Sequence, residues 1–132
     1  MALCDPIGDA LTCIRNANRV KKERVDLRGS KLMEQILKIL KGERFIYDYR
    51  RIEDKKQGVL RVYLKKSNEP VRKFTKIQRV SRPGLRIYAK KDAIPTVLSG
   101  LGICVLSTPA GVLSGEQAKH RSMGGEVLLK VW

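Results

Sequence analysis

The sequence predicts an α+β protein built from two small subdomains. Three observations carry that reading. Apolar residues recur at helical spacing over 7–17 and 32–40. Short apolar or alternating runs, bounded by Gly, Pro, Ser and Asn, read as strands through the rest of the chain. The polar run Lys65-Lys66-Ser67-Asn68-Glu69-Pro70 then divides the 132 residues in two. We expect a helix-strand-helix-strand-strand subdomain at 1–66, a linker at 67–75, and a mainly β subdomain with short helices at 76–132. A chain of this length buries roughly two-thirds of its surface, and a hydrophobic content of 42% supplies a core.

Asp5-Pro6 opens the first helix, because Asp is a favourable N-cap and Pro suits the first helical position. Ile7, Ala10, Leu11, Ile14 and Ala17 fall on one face. Arg15 and Arg19 sit near the C-terminal half, where cations complement the helix dipole. Asn16 is the residue that an amphipathic helix explains least. Residues 21–24 are a polar turn, and Val25 and Leu27 alternate with Asp26 and Arg28 as a short strand. Ser30 caps a second helix over 31–41, ended by Gly42. Its apolar face is Leu32, Met33, Ile36, Leu37 and Leu40, and Glu34 stands one place too late for a capping box. Residues 45–49 read as a strand, 50–58 as a charged turn and 59–64 as the next strand. These elements pack as an antiparallel-rich sheet with two helices on one face.

Beyond the linker, Ile77 and Val80 belong to a strand. Arg82-Pro83-Gly84 is a turn with Pro second and Gly third, as type II wants. Residues 85–88 return as the second strand of that hairpin, carrying Arg86 and ending at Tyr88. A short helix interrupted by Pro95 is expected over 93–98. Ile103-Cys104-Val105-Leu106 is a buried strand running into a loop, Ser107-Thr108-Pro109-Ala110-Gly111. Residues 114–120 make one or two helical turns. Gly124-Gly125-Glu126 leads into a last strand over 127–131, ending at Trp132.

Net charge is +15 and unevenly placed: residues 44–91 hold 16 basic and 4 acidic side chains, whereas 92–132 hold three of each. A field of that sign attracts a polyanion. Nucleic acid is the first candidate and an anionic membrane surface the second, against the plain reading of a solvated face. Phosphate contacts supply affinity, while base and sugar contacts specify. A basic body joined to a neutral tip of hydroxyls and glycines divides those two jobs. Met1 to Ile14 carries acids at Asp5 and Asp9 and no basic n-region, so no secretory signal is expected. No apolar run approaches the roughly 18 residues of a membrane span. Cys4, Cys13 and Cys104 are odd in number and scattered, which fits a reducing cytosol rather than a disulfide framework or a zinc site.

An enzyme is the rival class. His120 is the only histidine and has no Cys or Ser at a recognised spacing. Cys104 lies within an apolar run, and Glu126 has no second carboxylate to pair with for hydrolysis. Gly100 and Gly102 precede a strand, so there is no phosphate-binding loop. No catalytic residue, metal ligand or cofactor is expected. Zinc-finger, zipper and recognition-helix signatures of DNA binders are missing, as is the aromatic motif of RRM domains. The hydroxyls of Ser107 and Thr108 suit base edges and 2′-hydroxyls in a wide RNA minor groove. Gly124 and Gly125 would let backbone approach closely. Tyr88 either stacks on a base or sugar, or packs in the core or at its rim. Lys31 is either a phosphate contact or a solvated lysine. Glu126 is expected to accept from a backbone N–H near the Ser-Thr loop, and can accept from a base amino group.

The order of residues after Gly100 is more specific than any one of them. Gly102, Ile103-Cys104, Val105-Leu106, Ser107-Thr108, Pro109-Ala110, Gly111, Val112-Leu113, four spacers, Ala118 and Lys119 are followed by Gly124-Gly125-Glu126-Val127-Leu128 and a terminal Val131-Trp132. With DPIGDALTCIRNA at 5–17 and RVSRPGLRIY at 79–88, the chain resembles the bacterial-type family of the eighth protein of the small (30S) ribosomal subunit. The resemblance implies two small α+β subdomains and primary binding to a helical junction in the central domain of 16S-type rRNA, helping to assemble the subunit platform. It implies other small-subunit ribosomal proteins as partners and, in some members, the protein's own messenger RNA; a free-standing RNA-binding translational regulator of its own messenger RNA is the alternative function. It implies no membrane, small-molecule substrate or cofactor, and a place on cytoplasmic ribosomes, or in an organelle stroma if organelle-encoded. It maps RNA contacts onto Ser107, Thr108, Gly124, Gly125, Glu126 and Tyr88, with Lys31, Lys55 and Arg86 toward phosphate. The chain departs from the family pattern at Pro109 and Ala110, where Ser and a basic residue are common. It departs again at Ser114 to Gln117, where Thr-Asp and several basic residues are common.

Overall fold

A computed structural model describes residues 5–53, 58–64, 76–97 and 100–132. In chain order the elements are α1 (Pro6–Arg19), β1 (Arg24–Arg28), α2 (Lys31–Gly42), β2 (Asp48–Ile52), β3 (Val59–Tyr63), β4 (Ile77–Arg79), β5 (Tyr88–Ala89), β6 (Ile103–Thr108), β7 (Gly111–Ser114), α3 (Gly115–His120) and β8 (Gly125–Val131). This is an α+β protein. It divides into two compact units, Asp9–Lys73 and Met1–Gly8 joined to Phe74–Trp132. The expected linker at 67–75 lies outside the described residues.

In the Asp9–Lys73 unit the helical spacing is realised as burial. Leu11, Ile14 and Ala17 of α1 and Met33, Ile36, Leu37 and Leu40 of α2 are buried. Leu32, expected on the same face, stays exposed at the first turn of α2. The Ser30 hydroxyl accepts from the Met33 N–H at 3.1 Å, capping α2. The helix end differs from expectation. Glu43 is its C-cap, and the left-handed residue is Arg44, at φ 65°, not Gly42. That reversal, closed by the Phe45 N–H donating to Leu40 O, turns Phe45 and Ile46 inward. They are therefore core plugs and not strand, and β2 begins only at Asp48 and occupies the start of the expected charged turn. The sheet has the order β1-β3-β2, antiparallel throughout. Leu60 and Val62 of central β3 are buried, with Arg61 and Tyr63 on the other face.

The second unit is one antiparallel sheet in the order β4-β8-β6-β7, with β5 also on β8. Central β8 is buried at Val127, Leu128 and Leu129, and a register shift opposite Val105/Leu106 accommodates the extra residue. Its core joins Ile94, Val97, Cys104, Leu106, Leu113, Ala118 and Val127. Each large aliphatic so buried stabilises by about 1.5–3 kcal/mol.

Three local expectations fail here. Residues 77–88 do not form a hairpin: β4 and β5 both pair with β8, at Ile77↔Val131 and Tyr88↔Glu126. They are two stretches of one edge, separated by an excursion whose tip is Arg82-Pro83-Gly84-Leu85. Gly84 does not adopt the positive φ that a type II turn demands. Residues 93–97 are not helical, because Pro95 has no N–H to give and Ile94 and Val97 are instead drawn into the core. Ser107 and Thr108, read as loop, are the last two residues of β6.

Candidate nucleic-acid interface

The turn between β6 and β7 is set by sequence. Pro109 and Ala110 occupy its corner, and Gly111 at φ 111° lets the chain re-enter the ladder opposite Thr108. The Thr108 hydroxyl is used up in this turn. It accepts from the Ala110 N–H at 3.2 Å and donates to Gly111 O at 2.7 Å. The half-buried Ser107 hydroxyl has no such partner among the described residues.

Ser107 is opposite Val112 on one side and Glu126 on the other, and Glu126 is opposite Tyr88. Residues directly opposite in an antiparallel sheet share a face. Tyr88, Glu126, Ser107 and Val112 therefore form one line across four strands, with about 5 Å between neighbours. The glycine pair makes that line possible. A Cβ on Gly124 would meet Ala89 O and stand 2.9 Å from the Lys91 N, and one on Gly125 would meet Ser107 O. The close approach is thus to the protein's own strands.

Glu126 does not accept from a backbone N–H, as expected from sequence. Its Oε2 accepts from the Ser81 hydroxyl at 2.5 Å and from Arg86 Nη1 at 3.0 Å. Burial pushes its carboxyl up, but those two donors and the nearby Arg79 charge outweigh burial and hold it below the usual carboxylate range. The Arg86 pKa is raised in turn, first by its hydrogen bond to Glu126. Arg86 remains half exposed, and its guanidinium has N–H donors beyond the one given to Glu126. Tyr88 is 70% exposed and is no core residue. Arg82, Lys90 and Lys91 are exposed nearby in the chain.

Of the remaining candidates, Lys31 opens α2 in the other unit and is exposed, whereas Lys55 lies outside the described residues. His120 ends α3, exposed, and Cys104 is buried with its thiol pushed up by desolvation. Among the described residues no three His, Cys, Asp or Glu side chains converge as metal ligands, and no helix is long and apolar enough to cross a membrane. The line of side chains is suited to recognition: an aromatic ring to stack, a hydroxyl to donate or accept, and a guanidinium for phosphate.

The family model described as ribosomal protein S8 matches residues 5–132. The chain belongs to the S8 family. It is 52% identical to the small ribosomal subunit protein uS8 of Oceanobacillus iheyensis, 50% identical to that of Halalkalibacterium halodurans and 51% identical to that of Leuconostoc citreum, each over the full length of both chains. Within this S8 chain the Pro109-Ala110 departure falls at the hairpin corner, where Pro fixes φ and needs no N–H partner. Sequence reasoning missed Ser81. A serine between a strand and a Pro-Gly turn reads as a solvated turn residue, and nothing local shows that it is fully buried.

Proposed function

We propose that this chain is a structural constituent of the small ribosomal subunit that binds 16S-type rRNA through its C-terminal unit. The observation that carries the reading is the single line of Tyr88, Glu126, Ser107 and Val112 across four strands, flanked by Arg86 and set in a chain of net charge +15. The field gathers phosphate; Ser107 and Tyr88 read base and sugar. Family membership and the full-length likeness to proteins named for the small subunit support the same reading. The finer assignment is the central domain of that RNA, in assembly of the platform, on cytoplasmic ribosomes beside other small-subunit proteins. The role is binding, with no catalytic step. Thr108 supports the interface by holding the turn, and Lys31 and Lys55 add charge for phosphate.

The test is binding of the full chain to a central-domain rRNA fragment and to an unrelated hairpin over a salt series. A preference for the fragment that survives high salt and falls with Ser107→Ala is expected. Equal binding to both RNAs, with the same steep salt slope, would leave only a generic polyanion binder.

A further inference from the structure

Ser81 is fully buried, and a buried hydroxyl has to find partners. Its backbone N–H donates to Val127 O at 3.1 Å, and the Val127 N–H donates to Ile87 O at 2.9 Å. The chain therefore leaves the edge of β8 at Ser81 and rejoins it at Ile87. The Ser81 hydroxyl ties these two points, accepting from the Ile87 N–H at 3.1 Å while donating to Glu126 Oε2. The tip of the excursion is closed separately, by reciprocal backbone bonds of 2.9 and 3.0 Å between Arg82 and Leu85.

The rejoining end carries both exposed groups of the interface. Arg86 and Tyr88 flank Ile87, and Arg86 rests on the same Glu126 oxygen that Ser81 holds. We propose that Ser81 is a positioning residue for RNA recognition: through the Ile87 N–H it fixes the backbone between Arg86 and Tyr88, and through Glu126 it fixes the Arg86 guanidinium. This rests on the RNA-binding function proposed above. Ser81 exposes no surface, so it acts without touching RNA. Its loss therefore changes how well RNAs are told apart, and alters the salt dependence by no more than the one phosphate contact of Arg86.

The experiment measures binding of the full chain to the rRNA fragment and the unrelated hairpin over a salt series, for wild type, Ser81→Ala, Tyr88→Ala and the double variant. Ser81→Ala is expected to lower the preference about three- to tenfold, with the slope of log affinity against log salt changed by no more than about one. In the Tyr88→Ala background its effect shrinks to under half, because the two act as one unit. An unchanged preference, full additivity with Tyr88→Ala, or a salt slope shallower by more than about one overturns the inference. Should Ser81→Ala not fold, Ser81→Cys carries the test. It keeps the shape of the buried side chain but weakens its bonds to the Ile87 N–H and Glu126, and its loss of preference must be non-additive with Tyr88→Ala; additivity overturns the inference. A wild-type chain with no preference overturns the proposed function itself, and Ser81's part with it.

Discussion

The carbonyl group of Ser107 lies so close to Gly125 that no side chain fits between them. A Cβ at Gly125 would also stand 2.9 Å from the Ser107 carbonyl carbon and 3.2 Å from the Thr108 Cα, all backbone that cannot rotate aside. Gly125 is thus what allows β8 to lie against β6 at the point where Glu126 pairs with Ser107. Gly125→Ala should destabilise the protein by about 1–3 kcal/mol. Gly42, the last residue of α2, is the control, because a Cβ there would meet nothing within 4 Å. Gly42→Ala should be neutral or stabilising by up to about 1 kcal/mol. Urea unfolding midpoints compare the two; equal midpoints would remove the packing argument.

Adjacent hydroxyls should separate stability from recognition. Thr108 spends its hydroxyl on Ala110 and Gly111 within the turn, so Thr108→Val should cost about 0.5–1.5 kcal/mol of stability. Ser107 makes no side-chain hydrogen bond among the described residues, so Ser107→Ala should leave the unfolding midpoint almost unchanged while weakening binding to the rRNA fragment by up to about tenfold. Paired denaturation and binding curves test this. The reverse pattern would place the recognition hydroxyl on Thr108.

Helices α1 and α2 were legible because their cause is local: apolar spacing and a Ser30 cap act within a few residues. So was buried β6, an apolar run between glycines. The edge formed by β4 and β5 was not. Alternation around Arg82-Pro83-Gly84 fits a hairpin equally well, and only pairing with the distant β8, as at Ile77↔Val131 and Tyr88↔Glu126, decides otherwise. The Tyr88, Ser107 and Glu126 side chains were each legible as candidates, because an aromatic beside basic residues, a hydroxyl pair after an apolar run and a carboxylate after two glycines are groups suited to RNA. Their common line depends on sheet register, and the partners of Glu126 depend on burial of Ser81. Neither has a local signature. Phe45 and Ile46 show the same limit: a β-rich pair becomes core plug because Arg44 turns the chain.

Cys104 and Cys13 should react differently with a thiol reagent. Cys104 is buried, bonds Pro95 O, and has its thiol pushed up by burial; Cys13 is exposed. The thiolate is the reactive form. In native buffer near neutral pH, labelling followed by peptide mapping should find Cys13 modified and Cys104 protected, with Cys104 reacting only once denaturant unfolds the chain. Rapid native labelling of Cys104 would show that the β6 core opens far more readily than its burial implies.

Stability should fall with acid in a way that Glu126→Gln blunts. Burial alone would raise the Glu126 carboxyl, but Ser81, Arg86 and Arg79 lower it below its ordinary value of 4.5. In the unfolded chain it protonates near that ordinary value. Below it the unfolded state binds more protons than the native state, so stability falls as pH falls through the native pKa. The stabilisation from the carboxylate is fully present above that window. Asp26, held low first by its hydrogen bond to Arg61, and Asp48, held low despite burial by Lys41, titrate in both chains and cancel in the comparison. The stability difference between wild type and Glu126→Gln should therefore be constant from neutral pH down to about pH 5.5 and shrink below about pH 4.5. Urea midpoints over that range measure it. A difference that stays constant to about pH 3, or widens, would mean that Glu126 is not held as a carboxylate by Ser81 and Arg86.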